Sequence, residues 1–259
     1  MVSKRITFAL LYSKGFFYLS RNFRLQKVGD VDWLEKNYSF NETCKYIDEL
    51  VFILVTKDPE KNEVDNFLKD TEKVRERVFA PIMLGGNIRN LEDVKKYFHN
   101  GADKIIINTE AKNNNLINEV CEIYGSQAIS IMIDYKFNKE KMKNEIFTNC
   151  GSSKVEVDIT EYLNSFSLDK IGEVILHSID KDGTGNGYDF EILKNYENEF
   201  NKPILLMGGA GKPEHIVEAL KLKKVSGIIT ANIFNFIGNG LKITREKAIQ
   251  EKINIAKLI

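Results

Sequence analysis

At 259 residues, with 37 basic and 37 acidic side chains, the chain is long enough for one barrel-sized domain and is formally neutral. That balance argues against a nucleic-acid or anionic-membrane surface, and no apolar run approaches the roughly 18 residues a membrane helix needs. The three cysteines, Cys44, Cys121 and Cys150, lack metal-ligand spacing, so free thiols in a reducing, cytoplasmic setting are expected, with no metal and no cofactor.

Short apolar runs alternate with amphipathic stretches, the pattern of parallel βα units. Met1–Leu11 holds two basic residues and an apolar stretch that Ser13-Lys14-Gly15 breaks without a cleavage-like site, so it reads as a strand and not a signal peptide. Strands are predicted at Ile6–Leu11, Leu50–Val55, Ile82–Leu84, Lys104–Ile107, Ala128–Ile133, Val174–Ser178, Ile204–Met207 and Gly227–Thr230. Helices fill most gaps. Asn90 is placed to cap Leu91–Asn100, Pro213 sits just inside Pro213–Leu222, Asp189 can cap Phe190–Phe200, and Thr244 can cap Arg245–Lys257. Two connections, near 15–38 and 137–158, are too long for a plain turn and read as hairpin-like insertions after the first and fifth strands. Trp33 is expected in packing. The phenylalanines of Phe16-Phe17 and Phe234–Phe236 are expected either in the core or on apolar loop surface.

A glycine pair occurs at Gly85-Gly86 and again, 123 residues later, at Gly208-Gly209. The same offset overlays Ile6–Leu11 on Ile129–Asp134, Val51–Leu54 on Val174–His177, and Ile105–Ile107 on Ile228–Thr230, with a one-residue slip between Pro81 and Pro203. Four strand-like segments repeated in order predict an α/β fold, a single (β/α)8 barrel over residues 1–259 with an internal half-barrel repeat.

In such a barrel the loops after the strands build the site. Gly86, Asn108 and Thr109 in the first half match Gly208, Gly209, Ala231 and Asn232 in the second. Both sets are expected to cradle phosphate on backbone N–H groups, as for a ligand phosphorylated at both ends. Ser178-Ile-Asp-Lys-Asp-Gly-Thr184 adds Asp182, Gly183 and Thr184 in a tight loop suited to an anion. Asp180, Asp182, Gly185 and Glu191 also fall at calcium-loop spacing, but a strand precedes them where that motif needs a helix. His177 would be the histidine at the mouth, either hydrogen-bonded and inert or able to move a proton; His99 and His215 are expected on helix surfaces.

Along nearly its whole length the sequence resembles the cyclase subunit of imidazole glycerol phosphate synthase, HisF. The likeness is carried by Lys4-Arg5-Ile6, Ile47-Asp-Glu-Leu-Val-Phe52, Gly101–Lys104 with Ile107-Asn-Thr109, Tyr124-Gly-Ser-Gln-Ala128, Ser178–Thr184 with Gly187-Tyr-Asp189, and Gly208–Lys212. The resemblance implies a HisH-like glutaminase partner that releases ammonia into the barrel. It also implies an ammonia gate of Arg5, Glu49, Lys104 and Glu173, and a partner-facing Asp103. The mouth departs from the family. Of the two aspartates that act as acid and base there, Asp134 on the fifth strand remains as the catalytic candidate, whereas Leu11 stands at the end of the first and cannot move a proton. Leu19 stands where a lid lysine is usual, with Arg21 nearby, and Leu54, His177 and Met207 replace an aspartate, a threonine and a serine. Leu11 and the stretch Leu19–Asp30 resemble a divergent branch associated with amidation of bacterial surface sugars. Membership there implies ammonia supply to a separate ATP-dependent sugar amidotransferase. The alternatives are a genuine histidine-pathway cyclase and a non-catalytic scaffold that binds a phosphorylated small molecule. A related sugar isomerase barrel fits less well, since it too relies on a carboxylate at the first strand.

Overall fold

The apolar runs become the staves of a closed parallel barrel. A computed structural model describes residues 3–38, 40–196, 199, 201–233 and 238–256. In chain order the staves are β1 (Arg5–Ser13), β4 (Glu49–Leu54), β5 (Ile82–Gly85), β6 (Lys104–Ile107), β7 (Ile129–Asn138), β10 (Glu173–Ser178), β11 (Ile204–Met207) and β12 (Val225–Thr230). Each pairs with the next, β12 pairs with β1, and β10 pairs with β7, so the eight-stave barrel has no free edge. The fold expected from the half-repeat is therefore the fold observed.

Period-two alternation divides the side chains between two cores. On β1, Ile6, Phe8, Leu10 and Tyr12 point outward into the core shared with the helices. Ala9, Val51, Met83, Ile106, Met132, Ile175, Leu205 and Ile229 fill the barrel interior. The helical layer comprises α3 (Lys61–Arg75), α4 (Leu91–His99), α5 (Asn114–Tyr124), α6 (Ile159–Asn164), α7 (Glu191–Asn195), α8 (Pro213–Lys221) and α9 (Gly240–Gln250). Two strand pairs are inserted. β2 (Phe16–Arg21) and β3 (Arg24–Gly29) form a hairpin on β1, followed by α1 (Val31–Tyr38) and α2 (Phe40–Thr43); β8 (Lys143–Thr148) and β9 (Ser153–Val155) extend β7.

Four local expectations need correction. The overlay of Val51–Leu54 on Val174–His177 is one residue out. Val51 and Ile175 both face the barrel interior, so the inward partner of His177 is Ile53, while Leu54 belongs to the outer core. The helix after Asp189 is only Glu191–Asn195, although Asp189 does accept the Glu191 amide, and Phe200 lies outside the described residues. The last helix starts at Gly240 and ends at Gln250. Thr244 lies inside it and donates back to the Gly240 carbonyl instead of capping, and Lys257 is outside the described residues. Trp33 is 38% exposed and meets Tyr38 edge-on. Asn90, by contrast, closes a full capping box with Asp93. Phe17 is buried, Lys27 sits over the ring of Phe16, and Phe234–Phe236 lie outside the described residues.

Candidate functional site

The barrel floor carries a closed ring of charge. Arg5 and Glu49 open their strands β1 and β4, Lys104 opens β6, and Glu173 opens β10, so all four side chains converge at one depth. Arg5 Nη1 donates to Glu49 Oε1 at 2.7 Å and Arg5 Nη2 donates to Glu173. Lys104 Nζ reaches the same two carboxylates at 2.8 and 3.3 Å. Each cation thus touches both anions. Ser130 Oγ donates to Glu173 at 2.8 Å and Thr7 Oγ1 to Glu49 at 3.3 Å, satisfying further lone pairs from above. Burial works against the Glu173 carboxylate, but Arg5 and Lys104 outweigh it and hold it below the usual carboxylate range. Burial likewise opposes the charge on Arg5, and the pull of Glu173 and Glu49 raises its pKa all the same. Asp103, at the same end, is exposed; its backbone N–H donates to the Ile82 carbonyl, and its carboxylate accepts the Ile82 N–H at 2.8 Å, tying β5 to β6.

Beneath this floor a second anchor escaped the sequence reading. Arg245 on α9 is 1% exposed and donates to the carbonyls of Tyr46 and Ala256 and to Asp48, whose carboxylate also accepts the Ile6 N–H. Its partners are far away in sequence, so no local pattern could have announced it.

At the other end the mouth holds a cavity of about 150 Å³. Leu11, Ile53, Leu54, Ile106 and Met132 form its apolar wall; Gly86, Asn108, Thr109, Arg89, Asp134 and His177 are among its polar lining. Among the described residues Asp134 is the sole carboxylate in that lining, and Leu11 is 5% exposed with no acid beside it in the cavity wall. Both Asp134 oxygens are occupied: Oδ1 lies 3.0 Å from His177 Nδ1, and Oδ2 accepts from Asn108 Nδ2 at 3.2 Å.

His177 stands between two aspartates. Its Nε2 lies 3.8 Å from Asp182 Oδ1, an ion-pair distance too long for a hydrogen bond, and Nε2 is buried with no hydrogen-bond partner among the described residues. Burial opposes the imidazolium, but Asp134 and Asp182 outweigh it and bring His177 up to about 9. Burial pushes Asp182 the other way as well, yet His177, Ser20 and the Phe23 amide keep it below its ordinary value. His99 is exposed on α4. His215 on α8 is half-buried and accepts the Gly211 N–H, and burial lowers its pKa.

The sequence-predicted anion residues are not brought into one site. Gly86, Asn108 and Thr109 face the cavity; Asp182, Gly183, Thr184, Gly208, Gly209, Ala231 and Asn232 do not line it. The β2–β3 hairpin explains the difference. Its tip is a two-residue turn with Asn22 at φ 51° and Phe23 at φ 62°, a conformation that matches strand twist but strains a phenylalanine. Ser20 Oγ donates to Asp182 Oδ2 at 2.5 Å, the Phe23 N–H donates to the same oxygen at 3.1 Å, and the Asn22 N–H donates to the Asp182 carbonyl at 3.0 Å. Asn22 Nδ2 reaches the carbonyls of Ile179 and Asp180, Asn232 Nδ2 donates to the Ser20 carbonyl at 3.0 Å, and the Phe23 ring lies 5.0 Å from the His177 ring. Thr184 Oγ1 donates to the Lys181 carbonyl inside its own turn. Among the described residues no group of histidine, cysteine and acidic side chains is arranged to hold a metal ion, and no helix is long and apolar enough to cross a membrane.

An eight-stave βα barrel with an ionic floor and a loop-built mouth defines the class. The family follows from comparison with known proteins. A model of the histidine biosynthesis protein family matches residues 30–239. The chain is 39% identical over 249 residues, covering 96% of itself and 91% of the relative, to a protein of Parasynechococcus marenigrum (strain WH8102) provisionally named imidazole glycerol phosphate synthase subunit hisF2. It is 36% identical over 239 residues to the imidazole glycerol phosphate synthase subunit HisF of Hydrogenobaculum sp. (strain Y04AAS1), covering 91% of this chain and 92% of that one. To the HisF subunit of Methanocaldococcus jannaschii it is 33% identical over 256 residues, with the same coverage. The chain belongs to this family, as a HisF-type subunit.

Proposed function

We propose that this chain is the synthase-side subunit of a glutamine amidotransferase. It binds a HisH-like glutaminase at the face carrying Asp103 and the ionic ring, passes ammonia along the barrel axis, and performs no ring closure of its own. The ammonia serves amidation of a bacterial surface sugar by a separate ATP-dependent amidotransferase, and the mouth keeps an anion site for a phosphorylated small molecule. One observation carries the reading: the four-charge floor is complete, while the cavity above it offers Asp134 and no second carboxylate near Leu11. Two-carboxylate acid/base chemistry has lost one member. The floor, by contrast, is net neutral and leads into an apolar interior that admits uncharged ammonia and disfavours ammonium. The longest contact of the ring is Lys104–Glu173 at 3.3 Å, so an opening there breaks its weakest edge.

The relatives named imidazole glycerol phosphate synthase subunit HisF support a second reading, cyclase activity in histidine biosynthesis. The Asp134–His177 pair is the feature that favours it, because an imidazole could take over the proton transfer of the missing aspartate. Purified chain supplied with ammonium salts and the doubly phosphorylated nucleotide substrate of the synthase separates the two. No turnover is expected, and robust cyclisation refutes the first reading. A scaffold that conducts no ammonia is tested by Arg5→Ala or Lys104→Ala, which leave glutamine-dependent product formation unchanged only if the floor has no transport role.

A further inference from the structure

We propose that the mouth is one-ended: it accepts a small ligand with a single phosphate at the first-half cradle, and the β2–β3 hairpin, latched by Asp182, keeps the matching second-half cradle shut. This deepens the reading of the paired loops as anion sites and is independent of the ammonia role.

The first cradle is open. Gly86, Asn87, Asn108, Thr109 and Arg89 line the cavity, with Arg89 Nη2 3.5 Å from Asn149 Oδ1 and 4.0 Å from Asp58. His177 adds a buried Nε2 that lacks a hydrogen-bond partner among the described residues and whose ring lines the same space. Leu11, Leu25 and Ile53, which also line the cavity, offer no side-chain donor for a second anion, and Ile53 adjoins the first cradle through its pairing with Gly85. A phosphate held at one end by Arg89 and loop amides, with a small uncharged body against Leu11, Leu25 and Ile53, matches this lining. At about 150 Å³ the cavity is smaller than the roughly 300–1,000 Å³ common for larger ligands, which also favours a compact, single-phosphate molecule.

The second cradle is covered twice. The Gly187 N–H donates to the Gly209 carbonyl at 2.8 Å, zipping the loop after β10 onto the loop after β11. Above it lies the hairpin. A Cβ on Gly183 would stand 2.0 Å from the Ser20 carbonyl oxygen, so only glycine lets the hairpin backbone come this close. Asn232 is spent on the same carbonyl. Asp182 is the hub, holding Ser20 and the Phe23 N–H through one carboxylate oxygen and approaching His177 with the other.

The test is calorimetric titration of the full chain with inorganic phosphate, glycerol 3-phosphate and fructose 1,6-bisphosphate. Amide hydrogen exchange at Phe23 serves as the structural readout. The wild-type protein is expected to bind glycerol 3-phosphate and to prefer the bisphosphate by no more than about threefold, and Arg89→Ala weakens both by at least about tenfold. Asp182→Ala is expected to speed Phe23 exchange and to raise the preference for the bisphosphate above about tenfold. Should that variant fail to fold, Ser20→Ala removes one latch bond and reports the same shift in smaller measure. A wild-type preference of tenfold or more for the bisphosphate overturns the proposal, as does an opened latch with no gain for the bisphosphate. Failure of all three anions to bind overturns it together with the anion reading of the loops, while glutaminase coupling, measured separately, is unaffected.

Discussion

Replacing Glu173 by glutamine keeps the shape of the barrel floor and removes one of its two negative charges. Glu173 is 6% exposed at its side chain and meets two cations that are about one-fifth exposed, 19% and 21%. At an effective dielectric of about 20, a charge pair 3.3 Å apart is worth about 5 kcal/mol, and Glu173 has two such partners. Several kcal/mol of that are offset by the cost of taking its carboxylate out of water. The variant, however, keeps the dehydrated Arg5 and Lys104 with Glu49 alone to share. The expected loss is about 3 kcal/mol, the lower end of what breaking a buried pair costs, and a drop in Tm of roughly 6–10 °C. Urea unfolding at neutral pH measures it. The companion variant replaces the whole ring, Arg5→Met, Glu49→Leu, Lys104→Met and Glu173→Leu together. It should recover wild-type stability to within about 1 kcal/mol, because an apolar plug has no desolvation cost to recoup. Recovered stability with loss of glutaminase-coupled ammonia transfer shows that the charges are kept for passage. A loss below about 1 kcal/mol for Glu173→Gln refutes the premise that the ring is a mutually dependent buried unit.

Three further outcomes follow from the same contacts. The folded pKa of His177, about 9, lies above its ordinary 6.5, so its stabilisation is complete below about pH 6.5 and is lost as pH rises through about 9. The stability gap between wild type and His177→Thr should be largest near pH 6, up to about 3 kcal/mol, and shrink by pH 10; a gap that widens with pH contradicts the pairing with Asp134 and Asp182. Arg245→Met leaves Asp48 and two carbonyls without their buried donor and should cost about 3–5 kcal/mol in urea unfolding. A cost under about 1 kcal/mol would show that the anchor is dispensable. Gly183→Ala forces a methyl group against the Ser20 carbonyl at a φ of +64° and should cost about 1–3 kcal/mol while speeding exchange at Phe23. Unchanged exchange there would mean the hairpin is held elsewhere.

What the sequence made legible is what repeats locally. Alternation on Ile6–Leu11 separates the inner from the outer face of β1, and the glycine pairs mark where staves β5 and β11 end. Positions spaced by the half-repeat lose one residue at the second stave. There an apolar run such as Val51–Leu54 aligns equally well in two registers, and only burial on one face or the other distinguishes them. Contacts between distant segments leave no such trace. Arg245 and Asp48 are 197 residues apart, and Ser20 and Asp182 are 162 apart. Asp182 looks in sequence like part of an anion loop, since it sits among glycines after a strand. Its carboxylate faces hydroxyl, amide and imidazole donors that the hairpin and β10 bring to it, and a carboxylate so engaged would repel a phosphate at that place.

The two halves of the barrel use one cross-strand position in opposite ways. Leu11 pairs with Ile53 between β1 and β4, and Asp134 pairs with His177 between β7 and β10, both pairs facing the interior near the mouth. In the first half Gly86, Thr109 and Arg89 line the cavity, with Thr109 accepting the Asn149 N–H and Arg89 reaching the Asn149 side chain. In the second half His177 is paired with Asp134 and its Nε2 also lies 3.8 Å from Asp182, which in turn holds Ser20 and the Phe23 amide. Leu11 leaves Asp134 without a second carboxylate in the cavity lining among the described residues. The histidine at β10 gives the hairpin a charged seat over the end no longer used. Restoring a carboxylate at position 11 without displacing His177 should therefore not reopen the second cradle. Leu11→Asp alone is expected to leave the bisphosphate preference of the wild type unchanged, whereas His177→Thr, which frees Asp182 of its partner, should raise it. If Leu11→Asp alone opens the second cradle, the seat lies at β1 and not at His177.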